Sequence, residues 1–171
     1  MRKLRRPAYR ALVVVHVASS VAWLGLSLCL LVLAAWAATT SDAASQYAAV
    51  AASSRLAGTI AVPIGATALV TGVWLMLGTR WSIAYTWVLV KLVATVITFA
   101  LTVLVLRPGL AEVAAGADPL RLQVLDGDIM YGPVVSSVVY LGATVLSYVK
   151  PWGRRGAGAP ARARVPARSA R

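Results

Sequence analysis

Four long stretches with almost no charge constrain this chain more than any other feature. They cover residues 11–38, 56–78, 82–106 and 130–149 of the 171. A hydrocarbon core about 30 Å thick is crossed by a helix of roughly 20 residues, so each stretch is long enough to span a membrane. Apolar residues make up 60% of the chain and charged residues only 13%, which excludes a soluble globular domain.

Backbone polar groups find no water in hydrocarbon, so each stretch is predicted to be a helix that satisfies its own hydrogen bonds. Polar or helix-breaking residues follow each stretch, at residues 39–42, 78–80, 107–109 and 150–151. Pro63 should kink the second helix. The sequence Asp126-Gly127-Asp128 lacks the other ligands of a calcium loop and is interpreted as a turn before the fourth helix. The predicted fold class is an all-α, polytopic membrane protein, an antiparallel bundle of four transmembrane helices.

The distribution of cations predicts the orientation. Lysine and arginine are retained on the cytoplasmic side of membrane proteins. If the N-terminus is inside, thirteen of the 17 cations are cytoplasmic, Lys91 is within a helix, and only Arg55, Arg107 and Arg121 are outside. Both termini are therefore expected in the cytoplasm. A signal peptide is the alternative for the N-terminus, but its apolar region is only about 7–15 residues long, so a retained first helix is favoured.

The two ends of the chain are rich in positive charge. Residues 1–10 form a basic N-terminal segment, and residues 150–171 contain mainly Arg, Ala, Gly and Pro without periodic apolar positions. The tail is predicted to be disordered. Clustered cations next to a membrane attract anionic lipid headgroups, so we expect these headgroups as partners at both ends. Binding of RNA by the tail is the weaker alternative, and no nucleic-acid partner is expected.

Each predicted helix has one face that differs from lipid-facing sequence. At about 100° per residue, these faces should turn toward protein, where small residues pack and hydroxyls form hydrogen bonds. The faces are His16, Ser19, Ser20, Trp23 and Ser27 on the first helix; Gly58, Ala61, Gly65, Ala68 and Gly72 on the second; Trp87, Lys91, Thr95, Thr98 and Thr102 on the third; and Ser137, Tyr140, Thr144 and Tyr148 on the fourth.

Two ionisable residues stand within these faces. His16 and Lys91 each lie about 10 Å below the cytoplasmic boundary by helical rise. Thr144 falls in the same layer, and Trp23 lies about two turns deeper, so we predict a pocket open toward the cytoplasmic half. An ionisable group inside a membrane is by default a hypothesis of function. The alternatives are that Lys91 extends to the headgroups and that His16 is a neutral histidine bonded to a serine or threonine.

Two short motifs resemble a known superfamily. The first helix contains His16-x6-Trp23-Leu24-Gly25, and the third contains Trp87-x3-Lys91-Leu92. This combination resembles the small helical membrane proteins that include the CopD copper-resistance domain and HemJ, a haem-containing protoporphyrinogen oxidase. The ending Lys150-Pro151-Trp152 is similar to that of bacterial members of unknown function. The resemblance covers residues 10–152 and implies a multi-pass protein of the bacterial inner membrane.

The resemblance also implies a cofactor site. By similarity His16 is a ligand of haem b iron, and Lys91 pairs with a propionate or another anion. Trp23, Trp87 and Thr144, which lie on the predicted inward faces, are the further binding residues that we predict. The chain has a single histidine, so bis-histidine ligation within one subunit is excluded. A homodimer sharing two His16 side chains, or Met76 as a second ligand, would be needed. Copper fits poorly because Cys29 is about 20 Å from His16 along the helix.

Three functional hypotheses follow. The first is an integral membrane protein that binds haem or another anionic redox ligand near His16 and Lys91, with any enzymatic reaction unassigned. The second is a non-enzymatic scaffold or accessory subunit that associates through the small-residue face of the second helix. The third, a small transporter or proton channel, lacks the internal repeats of such proteins.

Overall fold

The computed structural model describes residues 5–78, 84–125 and 127–152, and this part of the chain is helical without a β-strand. Four helices are long and apolar enough to cross a membrane: α1 (Arg6–Thr39), α2 (Ala43–Gly78), α3 (Thr86–Ala115) and α4 (Asp128–Val149). The predicted all-helical fold is confirmed for the described residues, and four membrane-length apolar helices agree with the predicted multi-pass character. The predictions for residues 1–4, 79–83, 126 and 153–171 concern residues outside the described ranges.

Two helices are longer than the sequence indicates. Helix α2 begins at Ala43 rather than near residue 56, and α3 continues to Ala115 through the Arg107-Pro108-Gly109 sequence that was expected to end it. Proline lacks an N–H and its ring clashes with the carbonyl four residues earlier, which normally breaks a helix. Here a π-helical turn precedes each proline, over Ala57–Ala61 before Pro63 and Thr102–Leu106 before Pro108. The wider turn lets each helix continue past the proline.

The extended parts of α2 and α3 have a core of their own at the end of the molecule where α1 ends and α4 begins. We call this the loop end. Ala37, Ala49 and Val50 are each 1% exposed there. Partly buried apolar residues surround them: Leu33, Val113, Ala114, Ala117, Leu125 and Ile129. Burial of this cluster explains why helices continue beyond the length that a bilayer requires.

The side chain of Gln46 ties the loop after α3 to this core. Its Nε2 donates to the carbonyl oxygens of Ala37 at 3.1 Å and Gln123 at 3.0 Å. Its Oε1 accepts from the backbone N–H of Gln123 at 2.7 Å. One buried amide therefore joins α1, α2 and the segment between α3 and α4, so this segment is held by specific hydrogen bonds rather than by apolar contact alone.

The small residues of α2 receive side chains of neighbouring helices. A Cβ atom at Gly65 would lie 2.7 Å from Trp23 Cζ2 and 2.8 Å from Phe99 Cδ2, and a Cβ at Gly72 would lie 2.9 Å from His16 Cε1. Gly58 has nothing within 4 Å of such an atom. The predicted small-residue face is thus used for packing at Gly65 and Gly72 but not at Gly58.

On α4 the inward face differs in part from the predicted one. Ser136, Ser137 and Tyr140 are buried, whereas Tyr148 is 89% exposed. The remaining outward positions of the four helices are mostly aliphatic, as expected for surfaces that contact lipid tails.

Candidate functional site: a cavity between four helices

A cavity of about 370 Å³ lies in the half of the molecule where α1 begins and α4 ends. All four helices line it. The five residues that the sequence analysis assigned to a site, His16, Trp23, Trp87, Lys91 and Thr144, all border this one space. Its size falls within the range of about 300–1,000 Å³ found for small-molecule sites.

His16 is fixed against α2 by its Nδ1 atom. Nδ1 lies 3.0 Å from the carbonyl oxygen of Ala68 and 3.1 Å from the hydroxyl of Thr71. A carbonyl only accepts, so Nδ1 carries a proton in this arrangement. The Thr71 hydroxyl donates to the Thr67 carbonyl at 2.6 Å, so it too accepts from His16. In the neutral imidazole the other nitrogen, Nε2, therefore has a free lone pair.

Lys91 turns toward α4. Its Nζ donates to Ser147 Oγ at 2.7 Å, and Ser147 donates in turn to the Ala143 carbonyl at 2.8 Å. This contact uses one of the three ammonium donors. Lys91 is partly buried and lines the cavity, and the residue that its Nζ contacts lies in the last turn of α4. Lys150 also borders the cavity, at the end of α4, in the left-handed conformation with φ 49° before Pro151.

An aromatic cluster closes the deep end of the cavity. The rings of Trp23 and Tyr140 are 4.2 Å apart between centroids, and Phe99 meets Trp23 edge to face at 5.8 Å. Trp23 and Tyr140 are 3% and 5% exposed. Gly65 admits the rings of Trp23 and Phe99 because it has no side chain. The cluster separates the cavity from the buried hydroxyls nearer the loop end.

The hydroxyl groups on the cavity wall donate to their own helices. Thr95 donates to the Lys91 carbonyl at 2.7 Å, and Thr144 donates to the Tyr140 carbonyl at 2.9 Å. Such bonds to the carbonyl four residues earlier are the ordinary way in which serine and threonine satisfy their hydroxyls within a helix. Since their protons are used, their oxygens offer acceptors to anything in the cavity.

The charge around the cavity is of one sign. None of the described residues that line it is an aspartate or glutamate, whereas Lys91 and Lys150 both border it. The carboxylates of the described part of the chain, Asp42, Glu112, Asp118 and Asp128, flank the helix termini and the loop at the loop end. A ligand bearing negative charge is thus electrostatically favoured in this cavity.

Several lining residues were not assigned to a site from sequence. Tyr9, Tyr140, Ser147 and Lys150 border the cavity, as does Met76, which the sequence analysis named only as a substitute ligand. Ser147 could have been found, since it lies three residues after Thr144 on the same helix face. The positions of Tyr9 and Lys150 depend on how the helix ends are arranged, and no local pattern reports that.

Comparison of the chain with protein-family models, curated proteins and solved structures finds no match.

Proposed function

We propose that this chain is a four-helix antiparallel bundle of a bacterial inner membrane, with both termini in the cytoplasm, that binds an anionic ligand in the cavity beside His16 and Lys91. Haem b is the ligand whose chemistry best matches the lining. One observation carries the proposal: the single histidine and the single lysine within the apolar helices border the same cavity. Placing either ionisable group in hydrocarbon costs free energy, so two facing one space favour a role in binding.

The hydrogen bonding of His16 is that of a histidine able to bind haem iron. A ligating histidine commonly donates its second ring N–H to a carbonyl, which fixes the tautomer and the ring orientation. The Nδ1 of His16 donates in this way to Ala68, and Nε2 makes no hydrogen bond with the described residues. Nε2 is thus the nitrogen that would bind iron.

The rest of the lining supports the same ligand. Met76 supplies a thioether in the same cavity, and a histidine and a methionine together ligate haem iron in some electron-transfer proteins. Lys91 and Lys150 would pair with propionates, and Trp23 and Trp87 offer flat apolar surface. When bound, haem would supply one-electron chemistry. The chain itself would orient the ligand, exclude water and compensate negative charge.

We also propose kinship with the CopD/HemJ-like superfamily. The two motifs that carry the resemblance contribute His16, Trp23, Trp87 and Lys91, and these four residues border one cavity. Two motifs that are far apart in sequence thus contribute residues to one site, which supports kinship with this superfamily.

The test is an absorption spectrum of the detergent-purified protein after expression with adequate haem. We expect a Soret band that shifts on reduction with dithionite and that His16→Ala removes while the elution volume on size exclusion stays the same. Ser19→Ala is the matched control, because Ser19 lies on α1 outside the lining and donates to its own helix. A colourless protein, or a band that His16→Ala leaves unchanged, would overturn the haem assignment.

The orientation is tested separately. A cysteine in place of Ser41, which is exposed between α1 and α2, is introduced into a Cys29→Ser background. We expect a membrane-impermeant maleimide to label it from outside intact spheroplasts. Labelling only after lysis would contradict cytoplasmic termini.

A further inference from the structure

The neighbouring helices α2 and α3 approach each other unequally along their length. At the loop end they pack together, with Val113 and Ala114 of α3 against the core that contains Ala49 and Val50 of α2. Gly65 of α2 still meets Phe99 of α3. Beyond that contact, the parts that line the cavity, Val62–Gly78 and Thr86–Leu101, touch only sparsely, whereas both pack more extensively against α1 or α4.

The cavity is bordered by both of these sparsely contacting parts of α2 and α3, and residues of α1 and α4 complete its lining. On the α2 side its border includes Val73 and Met76, and on the α3 side it includes Val88 and Leu92. All four are partly buried and apolar. We call this gap the α2–α3 seam and define it by these four residues.

The surface beside the seam is of the kind that faces lipid. On α2, Val70 and Leu77, each about one turn from Val73, are 61% and 52% exposed; on α3, Val96, one turn after Leu92, is 46% exposed. No charged side chain other than Lys91 lies on the cavity-lining part of either helix, Val62–Gly78 or Thr86–Leu101. A polar solute would have to give up its hydration to cross such an edge, whereas an apolar body would not.

We propose that the cavity is loaded sideways from the membrane through the α2–α3 seam, so that its ligand is an anionic amphiphile dissolved in the bilayer. This inference rests on the proposed binding function and specifies its ligand class and route of entry. The apolar body passes between Val73 and Leu92, while the anionic group comes to lie near Lys91, about one helical turn from the seam residue Val88. Haem belongs to this class, and so do amphiphiles that carry one carboxylate or phosphate.

The route is tested without any ligand by spin labelling in lipid vesicles. A nitroxide is attached to Val88→Cys in the Cys29→Ser background, and its relaxation is measured with oxygen, which concentrates in lipid, and with a water-soluble nickel chelate. We expect oxygen to relax the label at residue 88 more strongly than the nickel chelate does. The same should hold for the control Val138→Cys on the exposed face of α4, where valine is 65% exposed. Dominance of the nickel chelate at residue 88 would mean that the cavity opens to water and would overturn the seam as the entrance.

The ligand class is tested by loading kinetics with hemin. Hemin dissolved in vesicles is mixed with vesicles that contain the protein, and the appearance of the bound spectrum is compared with delivery from albumin in water. We expect Leu92→Trp, which adds bulk at the seam, to slow loading from vesicles several-fold. Val93→Trp, one residue along on the exposed surface, should leave the rate unchanged. Equal rates for the two variants, or faster loading from albumin, would overturn membrane loading. Failure of every variant, and of the parent, to bind hemin would instead overturn the proposed function, and the spin-label result would then decide the entrance of the cavity by itself.

Discussion

The Nδ1 atom of His16 lies 3.0 Å from the carbonyl oxygen of Ala68, one turn of α2 beyond the glycine that admits the ring of Trp23. This hydrogen bond joins the histidine of α1 to the helix that carries the small-residue face. It fixes the ring plane and leaves Nε2 for a ligand. The backbone of α2 thus holds the side chain that the proposed function depends on.

Removing the second hydrogen-bond partner of His16 should weaken ligand binding without unfolding the protein. In Thr71→Val the hydroxyl that accepts from Nδ1 is lost while the side-chain volume is kept. Loss of such a supporting contact typically lowers metal affinity about 10–100-fold, and we expect a decrease of this order for hemin. Hemin titration measures it. Thr67→Val is the control, because Thr67 donates to the Pro63 carbonyl and has no contact with His16; equal loss in both variants would contradict the positioning role.

Lys91 should lower the stability of the protein while it strengthens the binding of anionic ligands. Replacing it by methionine removes a charge that is costly in hydrocarbon, by about 2.5–3.5 kcal/mol at the centre of a membrane helix and by less toward its end, so we expect Lys91→Met to melt at a somewhat higher temperature in detergent than the parent. The same variant should bind anionic ligands more weakly. Thermal unfolding and hemin titration give the two readouts. Lower stability together with unchanged binding would show that the Lys91–Ser147 hydrogen bond is purely structural.

Gly65 should not tolerate a methyl group. A Cβ there would lie 2.7 Å from Trp23 and 2.8 Å from Phe99, and neither ring end is free to swing away in the packed cluster. Overpacking of this kind typically costs about 1–3 kcal/mol, so Gly65→Ala should lower the melting temperature. At Gly58 nothing lies within 4 Å, and Gly58→Ala should be neutral or stabilising. Similar melting temperatures for the two variants would contradict the close packing.

The hydrogen bonds of the Gln46 side chain should protect the segment between α3 and α4 from local opening. Gln46→Leu replaces the amide by an apolar group of similar size and leaves the backbone N–H of Gln123 and two carbonyls without their partner. Each unsatisfied buried group costs about 1–3 kcal/mol. We expect faster hydrogen exchange in residues 117–125 and little change in the half that contains the cavity. Tyr47→Phe, at an exposed neighbouring position, should exchange like the parent; an unchanged segment in Gln46→Leu would contradict the role of this amide.

Asp42 should give a small acid-dependent loss of stability. Hydrogen bonds from Ser45 at the start of α2 lower the pKa of the Asp42 carboxyl below its ordinary value. A lowered folded-state pKa stabilises the protein above the unfolded pKa of about 3.9, and this contribution is lost as the pH falls through the folded-state value. Melting temperatures of the parent and Asp42→Asn should therefore differ most near neutral pH and converge below about pH 4. A difference independent of pH would contradict this assignment.

The sequence by itself determined that this protein is helical and that four of its helices are long and apolar enough to span a membrane, since four long apolar stretches with polar ends allow little else. It also determined which residues are costly in hydrocarbon, and this cost singled out His16 and Lys91. Helical periodicity placed Trp23, Trp87 and Thr144 on the same faces, and all five residues border one cavity. These inferences needed only local rules, because each depends on one helix and its surroundings.

Tertiary structure decided the rest. The continuation of α2 and α3 past Pro63 and Pro108 depends on π-helical turns and on a core at the loop end that no single segment contains. The choice of Ala68 and Thr71 as partners of His16, and of Ser147 as the partner of Lys91, depends on the relative rotation and height of neighbouring helices. Those quantities are set by side-chain packing between segments more than 50 residues apart in sequence, and a periodic pattern within one segment carries no information about them.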